Sequence, residues 1–347
     1  MEATTETDVR VDPSKIMQIG MGFWASKTLL TAINLRLFTL LAKSGLNAEQ
    51  IRTELGLHNR SIYDFLDTLV SLGFLKRDGQ GDSAVYSNSA DTDLFLDKNK
   101  PSYMGGILEM SNHRLYPFWH HLEDALKTGK PQNEARTGDK PMFEVLYENE
   151  NRLREFIAAM GGIQMGNFMK LAQAFDFSGY STLCDAGGAG GFLCAQVAMH
   201  NPHMQCTSYD LPKVGPIAAE NIKAMGVDDR VKVMDGDFFK DDLPESDVIT
   251  MGNVLHDWGI DDKKKLIKKA YDALPDGGAL VVIENIIDDD RSKNTFGLLM
   301  SLNMAIETPE GYDFTASDFN QWASEAGFSK TSVMPLTGPT SAVIAVK

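Results

Sequence analysis

The sequence predicts an α/β protein in two parts, a mainly helical N-terminal unit of winged-helix type followed by a doubly wound sheet of seven strands. Three observations carry this. Before about residue 177 apolar residues recur at helical spacing, with few strand-like runs. After Tyr180 short apolar runs alternate with helical stretches, the rhythm of a sheet with helices on both faces. A glycine-rich turn, Asp185-Ala186-Gly187-Gly188-Ala189-Gly190-Gly191, joins the first of those runs to the helix after it. A chain of 347 residues is long enough for two cores.

Taken in order, Phe23, Leu29, Leu30, Ile33, Leu37 and Leu40 predict one buried helical face. Asn47 is a plausible cap for a helix over 48–55, and Gly56 breaks it. A second helix is expected over 59–72, ending at Gly73. The run 74–77, the turn Asp78-Gly79 and the return run 84–87 complete a hairpin, the wing of the unit. In the second part strands are expected over 182–186, 205–211, 231–234, 248–251, 280–284, 331–336 and 341–346. Helices intervene over 192–200, 215–225, 261–274, 296–306 and 316–326. The expected domains are a tail at 1–13, the winged-helix unit at 14–105, a helical linker contributing to an acceptor pocket at 106–177, and the sheet domain at 178–347.

Charge narrows the function. The formal net charge is −15, whereas phosphate backbones and anionic membrane surfaces are held by a surplus of Lys and Arg. Between Gly45 and Lys100 there are six Lys or Arg against nine Asp or Glu, and the second helix carries Asp64 and Asp67 against Arg60. Nucleic acid and membrane are therefore not expected partners, and the winged helix reads as a packing or dimerisation module. Cys184, Cys194 and Cys206 form no C-x-x-C pair, which fits a reducing compartment without a disulfide or zinc site. Residues 1–13 are polar and no apolar run is long enough to span a bilayer, so a cytoplasmic location is expected.

The glycines of the turn let the backbone bend sharply and approach a ligand closely. Asp210, 25 residues beyond Asp185, ends the next strand, where a carboxylate can take both hydroxyls of a ribose. Asp237-Phe238 follows the third strand, placed to accept from an adenine amino group and pack its face. NAD uses the same topology, but its G-x-G-x-x-G spacing fails: counted from Gly188, Gly190 fits and the last position is Leu193. An acidic Asp185 before the turn suits a cationic amino-acid ligand rather than a pyrophosphate. S-adenosylmethionine carries a sulfonium and an ammonium and no phosphate, and is the expected ligand.

The segment Asn253-Val254-Leu255-His256-Asp257-Trp258 closes the fourth strand at the same end of the sheet. Methyl transfer to a hydroxyl requires a proton to leave, and a histidine is suited to take it near neutral pH. Glu284, ending the fifth strand, is placed to orient that ring and stabilise its charged form. The run Asp288-Asp289-Asp290 reads as a solvated loop and not as a metal site.

The stretches Asp185–Gly191, Tyr209-Asp210-Leu211-Pro212, Gly236-Asp237-Phe238, His256-Asp257-Trp258, 273–278 and Ala326-Gly327-Phe328 together resemble the plant-type small-molecule O-methyltransferases, which include caffeate, acetylserotonin and antibiotic-tailoring enzymes. The resemblance covers nearly the whole chain. It implies a Rossmann-like methyltransferase sheet, a homodimer formed through the N-terminal domain, S-adenosylmethionine as co-substrate without a metal, and a small-molecule acceptor. It implies His256 as general base, with Glu284 and Asp313 as its carboxylate partners, the second one methylene shorter than the usual Glu. Donor contacts fall on Asp185, Gly187, Gly188, Gly191, Asp210, Leu211, Asp237, Phe238, Gly252 and Asp257. Gly252 stands where some members hold a Lys against the nucleoside. Acceptor contacts fall on Met304, nine residues before Asp313, and on Met110, Arg114, Trp119 and Met160, with Asn112, Tyr116, Phe118, Met165 and Met169 as further candidates. Two alternatives stand beside this. One is methylation of a thioether of a small carboxylic acid, as in dimethylsulfoniopropionate synthesis, with Arg114 or Arg154 binding the carboxylate and proximity replacing a base. The other is a winged-helix regulator that senses S-adenosylmethionine.

Overall fold

The computed structural model describes residues 11–137 and 147–347. Most of the expected tail at 1–13 therefore lies outside the described residues. The chain divides into two compact units, which meet in sequence at His113 and Arg114.

The first unit begins with α1 (Ser14–Gly20), α2 (Gly22–Asn34) and α3 (Leu37–Leu41). The single apolar face expected from Phe23 to Leu40 is interrupted, because Arg36 takes a left-handed conformation (φ 58°) and resets the helical phase. Leu30, Ile33, Leu37 and Phe38 are buried, whereas Phe23 is 52% exposed beside exposed Ile16, Met17, Ile19 and Trp24. The short strand β1 (Leu46–Asn47) leads into α4 (Ala48–Glu54), where Asn47 and Gln50 form a reciprocal capping box. The helix expected over 59–72 is instead a 3₁₀ turn at Asn59–Ser61, held by Arg60 N–H donating to His58 Nδ1, followed by α5 (Ile62–Ser71). Strands β2 (Leu75–Asp78) and β3 (Val85–Asn88) pair antiparallel, with β1 on the far side of β3. Helices α6 (Ala90–Leu96) and α7 (Gly105–Met110) follow. Ile33, Phe38, Ile51, Leu66 and Leu69 form the core of this unit.

The second unit opens with α8 (Tyr116–Trp119), α9 (Leu122–Thr128) and the 25-residue α10 (Glu150–Ala174). The alternating part is β4 (Thr182–Ala186), α11 (Phe192–His200), β5 (Gln205–Asp210), α12 (Gly215–Ala224), β6 (Val231–Asp235), β7 (Val248–Gly252), α13 (Ile260–Ala273), β8 (Ala279–Glu284), α14 (Thr295–Glu307), α15 (Ala316–Ala326), β9 (Lys330–Pro335) and β10 (Ser341–Val346). The seven strands lie in the order β6-β5-β4-β7-β8-β10-β9, with β10 antiparallel to both its neighbours and the rest parallel. Leu171, Leu193 and Ile222 from α10, α11 and α12 cover one face of the sheet. Leu266, Ile267, Phe319 and Trp322 from α13 and α15 cover the other. All six residues of β8, Ala279 to Glu284, are buried, as a strand covered on both faces must be.

The order reverses between β4 and β7: after β4 the chain builds outward through β5 and β6, then returns to β7. Connections leave in opposite directions there, and a crevice opens at the strands' carboxyl ends. Both the glycine-rich turn and the His256 segment lie at those ends. No helix among the described residues is long and apolar enough to cross a membrane.

Candidate active site at the switch point

The turn after β4 is shaped by close approach. Gly187 has φ 79°, and a Cβ there would sit 2.7 Å from Val254 Cγ2; one at Gly188 would run into Ser208 Oγ. Gly187 and Gly188 donate their N–H groups to the Tyr209 carbonyl (2.9 and 3.2 Å), tying the turn to β5, and Gly191 (φ 72°) opens α11. Asp185 is buried, with Oδ1 accepting from Thr250 Oγ1 at 2.7 Å; burial outweighs that bond and pushes its carboxyl up to about 7. Asp210 accepts from Ala189 N–H on Oδ2 (2.8 Å) and from Leu211 N–H on Oδ1 (2.7 Å). Burial pushes it up to about 6 against those two amides. Each oxygen keeps a second lone-pair direction for a ligand.

Asp237 differs. Lys240, 2.8 Å away, and the Phe239 N–H occupy its carboxylate and hold it below the usual range. Phe238 packs edge-on against Phe239 (4.9 Å) and Trp258 (6.1 Å). At Gly252 a Cβ would meet Phe168 at an ordinary 3.7 Å, so the position has room where a side chain is missing.

His256 is 6% exposed and surrounded by acid. Its Nδ1 lies 3.2 Å from Glu284 Oε2 and 3.5 Å from Asp313 Oδ1, and its Nε2 lies 3.5 Å from Asp257 Oδ1. The backbone N–H of His256 also donates to Glu284 Oε1 (3.2 Å), so one carboxylate holds both the ring and its own main chain. Burial disfavours the imidazolium, but Glu284, Asp257 and Asp313 outweigh it and raise the ring to about 10. Glu284 is itself pushed up by burial and drawn back by His256. Asp257 rises to about 6 on burial. One side-chain atom from each of His256, Glu284 and Asp313 lies within 4.8 Å of the others.

Asp313 arrives on the segment after α14, whose fit is tight: a Cβ at Gly311 would sit 2.5 Å from the His256 carbonyl. The Asp313 N–H donates to Ser301 Oγ at 3.2 Å, and the shorter side chain still reaches the histidine. Sequence reasoning set Asp257 in the donor site, and the structure sets its carboxylate beside the histidine ring. Two participants were missed. Asn253, with φ 54°, aims its Nδ2 at Glu284 Oε2 (3.4 Å). Lys263 is completely buried on α13, and its spacing of three, four and seven residues before Leu266, Ile267 and Ala270 is the local signal that sets it on the buried face, apart from exposed Lys265 and Lys268.

The acceptor candidates are distributed unevenly. Trp119 donates its indole N–H to Asn303 Oδ1 on α14 (2.8 Å), next to buried Met304. Met160 and Met165 are half-buried on α10, whereas Met169 is 41% exposed. Met110, with Asn112, belongs to the first unit. Arg114 is paired within the chain. Its guanidinium is held by Glu134 (2.6 and 2.9 Å) and by buried Glu307 (2.6 Å), so it is already neutralised by two internal carboxylates. Arg154 is likewise occupied, by Glu150 and Glu220. Both guanidiniums are thus ion-paired within the chain. Asp288 accepts from the N–H groups of Ser292, Lys293 and Asn294, which closes its own exposed loop.

The O-methyltransferase domain profile matches residues 119–329, and the O-methyltransferase dimerisation domain profile matches residues 17–98. The tetracenomycin polyketide synthesis 8-O-methyl transferase TcmO of Streptomyces glaucescens is 38% identical over 344 residues, 99% of each chain. The N,N-dimethyltransferase OxyT of Streptomyces rimosus is 32% identical over 313 residues, 90% of each chain. Among solved structures, human N-acetylserotonin methyltransferase in complex with S-adenosylmethionine superposes with a TM-score of 0.89 at 29% identity, covering 98% of this chain and 99% of that one. The chain belongs to the O-methyltransferase family, and is an S-adenosylmethionine-dependent methyltransferase that joins an O-methyltransferase domain to a dimerisation domain.

Proposed function

We propose that the enzyme methylates a hydroxyl on a polycyclic aromatic acceptor, with His256 as general base. The observation that carries the reading is the buried His256, whose Nδ1 faces Glu284 and Asp313. With that nitrogen facing two carboxylates, Nε2, which has Asp257 Oδ1 3.5 Å away, takes the acceptor's proton. S-adenosylmethionine, when bound, supplies an electrophilic methyl group on a sulfonium. Asp210 takes the ribose hydroxyls, Asp185 faces the cationic amino-acid end, and the glycines at 187, 188 and 191 let the backbone come close. Phe238 and Asp237 border the adenine, and Gly252 and Leu211 line the nucleoside. As the acceptor oxygen bonds to the methyl carbon and the carbon–sulfur bond breaks, the proton passes to Nε2, and Glu284 and Asp313 stabilise the imidazolium. Asp257 also faces that ring, 3.5 Å from Nε2. The acceptor's ring is held by Met304, Trp119 and Met160, thioether and indole surfaces suited to a flat hydrocarbon.

The relative TcmO is named for an 8-O-methyl transfer in tetracenomycin polyketide synthesis, and a Streptomyces sahachiroi relative, 31% identical, is named for a hydroxynaphthoate, a fused ring; both support this acceptor class. The thioether and ligand-sensing alternatives are not favoured, since the relatives are named as enzymes acting on oxygen or nitrogen and both arginines are occupied. Purified enzyme and labelled donor, offered naphthols, hydroxynaphthoates, simple phenols, arylamines and methylthio acids, test this. Hydroxylated polycyclic compounds should be methylated with kcat/KM at least ~10-fold above the others, the discrimination expected of an apolar slot. Preference for an amine or a thioether would overturn it.

The exposed apolar run Ile16, Met17, Ile19, Phe23 and Trp24 on α1 and α2 supports a homodimer formed through the N-terminal domain. Light scattering should return twice the chain mass at micromolar concentration, and a monomer there would rule the assembly out.

A further inference from the structure

Lys263 is 0% exposed, although it sits in a helix whose neighbouring lysines face water. Its Nζ donates to the Trp258 carbonyl (2.5 Å) and lies 3.5 Å from the centre of the Tyr312 ring and 5.9 Å from that of Phe314. None of the ion pairs among the described residues includes it. The acidic groups around it come from four elements: Glu284 on β8, Asp313 on the segment after α14, Asp257 on the turn beside His256, and Asp318 on α15. Burial lowers the ammonium to about 8, while those carboxylates favour its charge. A buried charge without a direct partner is costly. A Leu or Met would fill the same space without that cost, so packing alone does not account for a lysine.

Both contacts lead to the catalytic cluster. The Trp258 carbonyl belongs to the turn that carries His256 and Asp257, and Tyr312 immediately precedes Asp313. Three carboxylates around one imidazole leave an excess of negative charge in a buried space. We propose that Lys263 is a positioning residue for methyl transfer: its ammonium braces the His256–Trp258 turn against the Tyr312–Asp313 segment and offsets the excess negative charge around His256. This rests on the reading of His256 as base. Without that charge the carboxylates hold a proton on His256 more tightly, and the neutral base forms only at higher pH.

The test uses Lys263→Met, which keeps the stem and removes the charge, and Lys263→Gln, which keeps a donor for the Trp258 carbonyl. Affinity for S-adenosylhomocysteine, kcat, acceptor KM and the pH dependence of kcat are measured for both and for His256→Gln. Both Lys263 variants should bind S-adenosylhomocysteine and acceptor within about threefold of wild type. At pH 7 their kcat should fall at least ~10-fold, with the acid limb displaced upward by roughly half to one pH unit, the scale of one nearby charge. Recovery of wild-type kcat and pH profile by Lys263→Gln would reduce the role to a hydrogen bond and overturn the electrostatic part. A variant that no longer binds S-adenosylhomocysteine counts against the proposal, since Lys263 would then be a folding residue. If His256→Gln is inactive while both Lys263 variants match wild type, this inference fails alone; if His256→Gln keeps its turnover, the base reading fails first.

Discussion

Replacing His256 with Gln should lower kcat by about 10³-fold, a loss of roughly 4 kcal/mol of transition-state stabilisation, and leave S-adenosylhomocysteine affinity within about twofold. Glutamine fills much of the ring's volume and still offers an N–H to Glu284, but it cannot accept a proton at neutral pH. Donor affinity should survive because the substituted side chain contacts Glu284, Asp313 and Asp257, not the glycine-rich turn. The pH dependence has a definite sign. A base must be neutral to act, and the surrounding carboxylates raise His256 to about 10 in the ligand-free protein. The fraction able to accept a proton therefore grows as pH rises, and wild-type kcat/KM should climb between about pH 7 and 10. Steady-state rates across that range, with donor saturating, check it. A flat wild-type profile, or a His256→Gln enzyme with more than about a tenth of normal kcat, would remove the histidine from the chemistry.

Asp210→Asn should act on the opposite side of the reaction. The carboxylate places one oxygen on each of two amides, Ala189 N–H and Leu211 N–H, and neither amide can be satisfied by an –NH₂ group. The substitution turns one attractive contact into a donor facing a donor and removes an acceptor from the ribose. With hydrogen bonds to a charged group worth about 1.5–3 kcal/mol, S-adenosylhomocysteine should bind at least ~30-fold more weakly, read by calorimetry. At saturating donor, kcat should stay within about tenfold, because the His256 cluster is untouched. A loss below about threefold would show that the nucleoside is held elsewhere.

These two residues differ in how far sequence alone reveals them. Asp210 ends a β-strand a fixed distance beyond a glycine-rich turn, and the alternation of strand and helix is a local signal. The period of apolar residues decided the element boundaries to within about a residue through most of the sheet domain. Asn47 and Gln50 likewise form their cap from residues three apart. Where the backbone made a choice that side-chain periodicity does not report, the reading failed. Arg36 takes a left-handed turn that divides one expected helical face, Phe23 near the start of α2 is exposed, and a 3₁₀ turn replaces the first turn of α5.

The sequence by itself determined the α/β order of elements and the class of methyl donor, because each is written in short motifs or in periodic burial; it offered His256 with Glu284 from their places at strand ends, and Asp313 only through the family resemblance. Only the tertiary structure decided that Asp257 turns to the histidine, that Arg114 is neutralised by Glu134 and Glu307, and that Lys263 is buried beside the same cluster. Those outcomes depend on which strand ends and loops meet at the switch point of the sheet. Residues as far apart as Arg114 and Glu307 come within hydrogen-bond reach in the fold, and the electrostatics of burial arise from the meeting and not from any one segment.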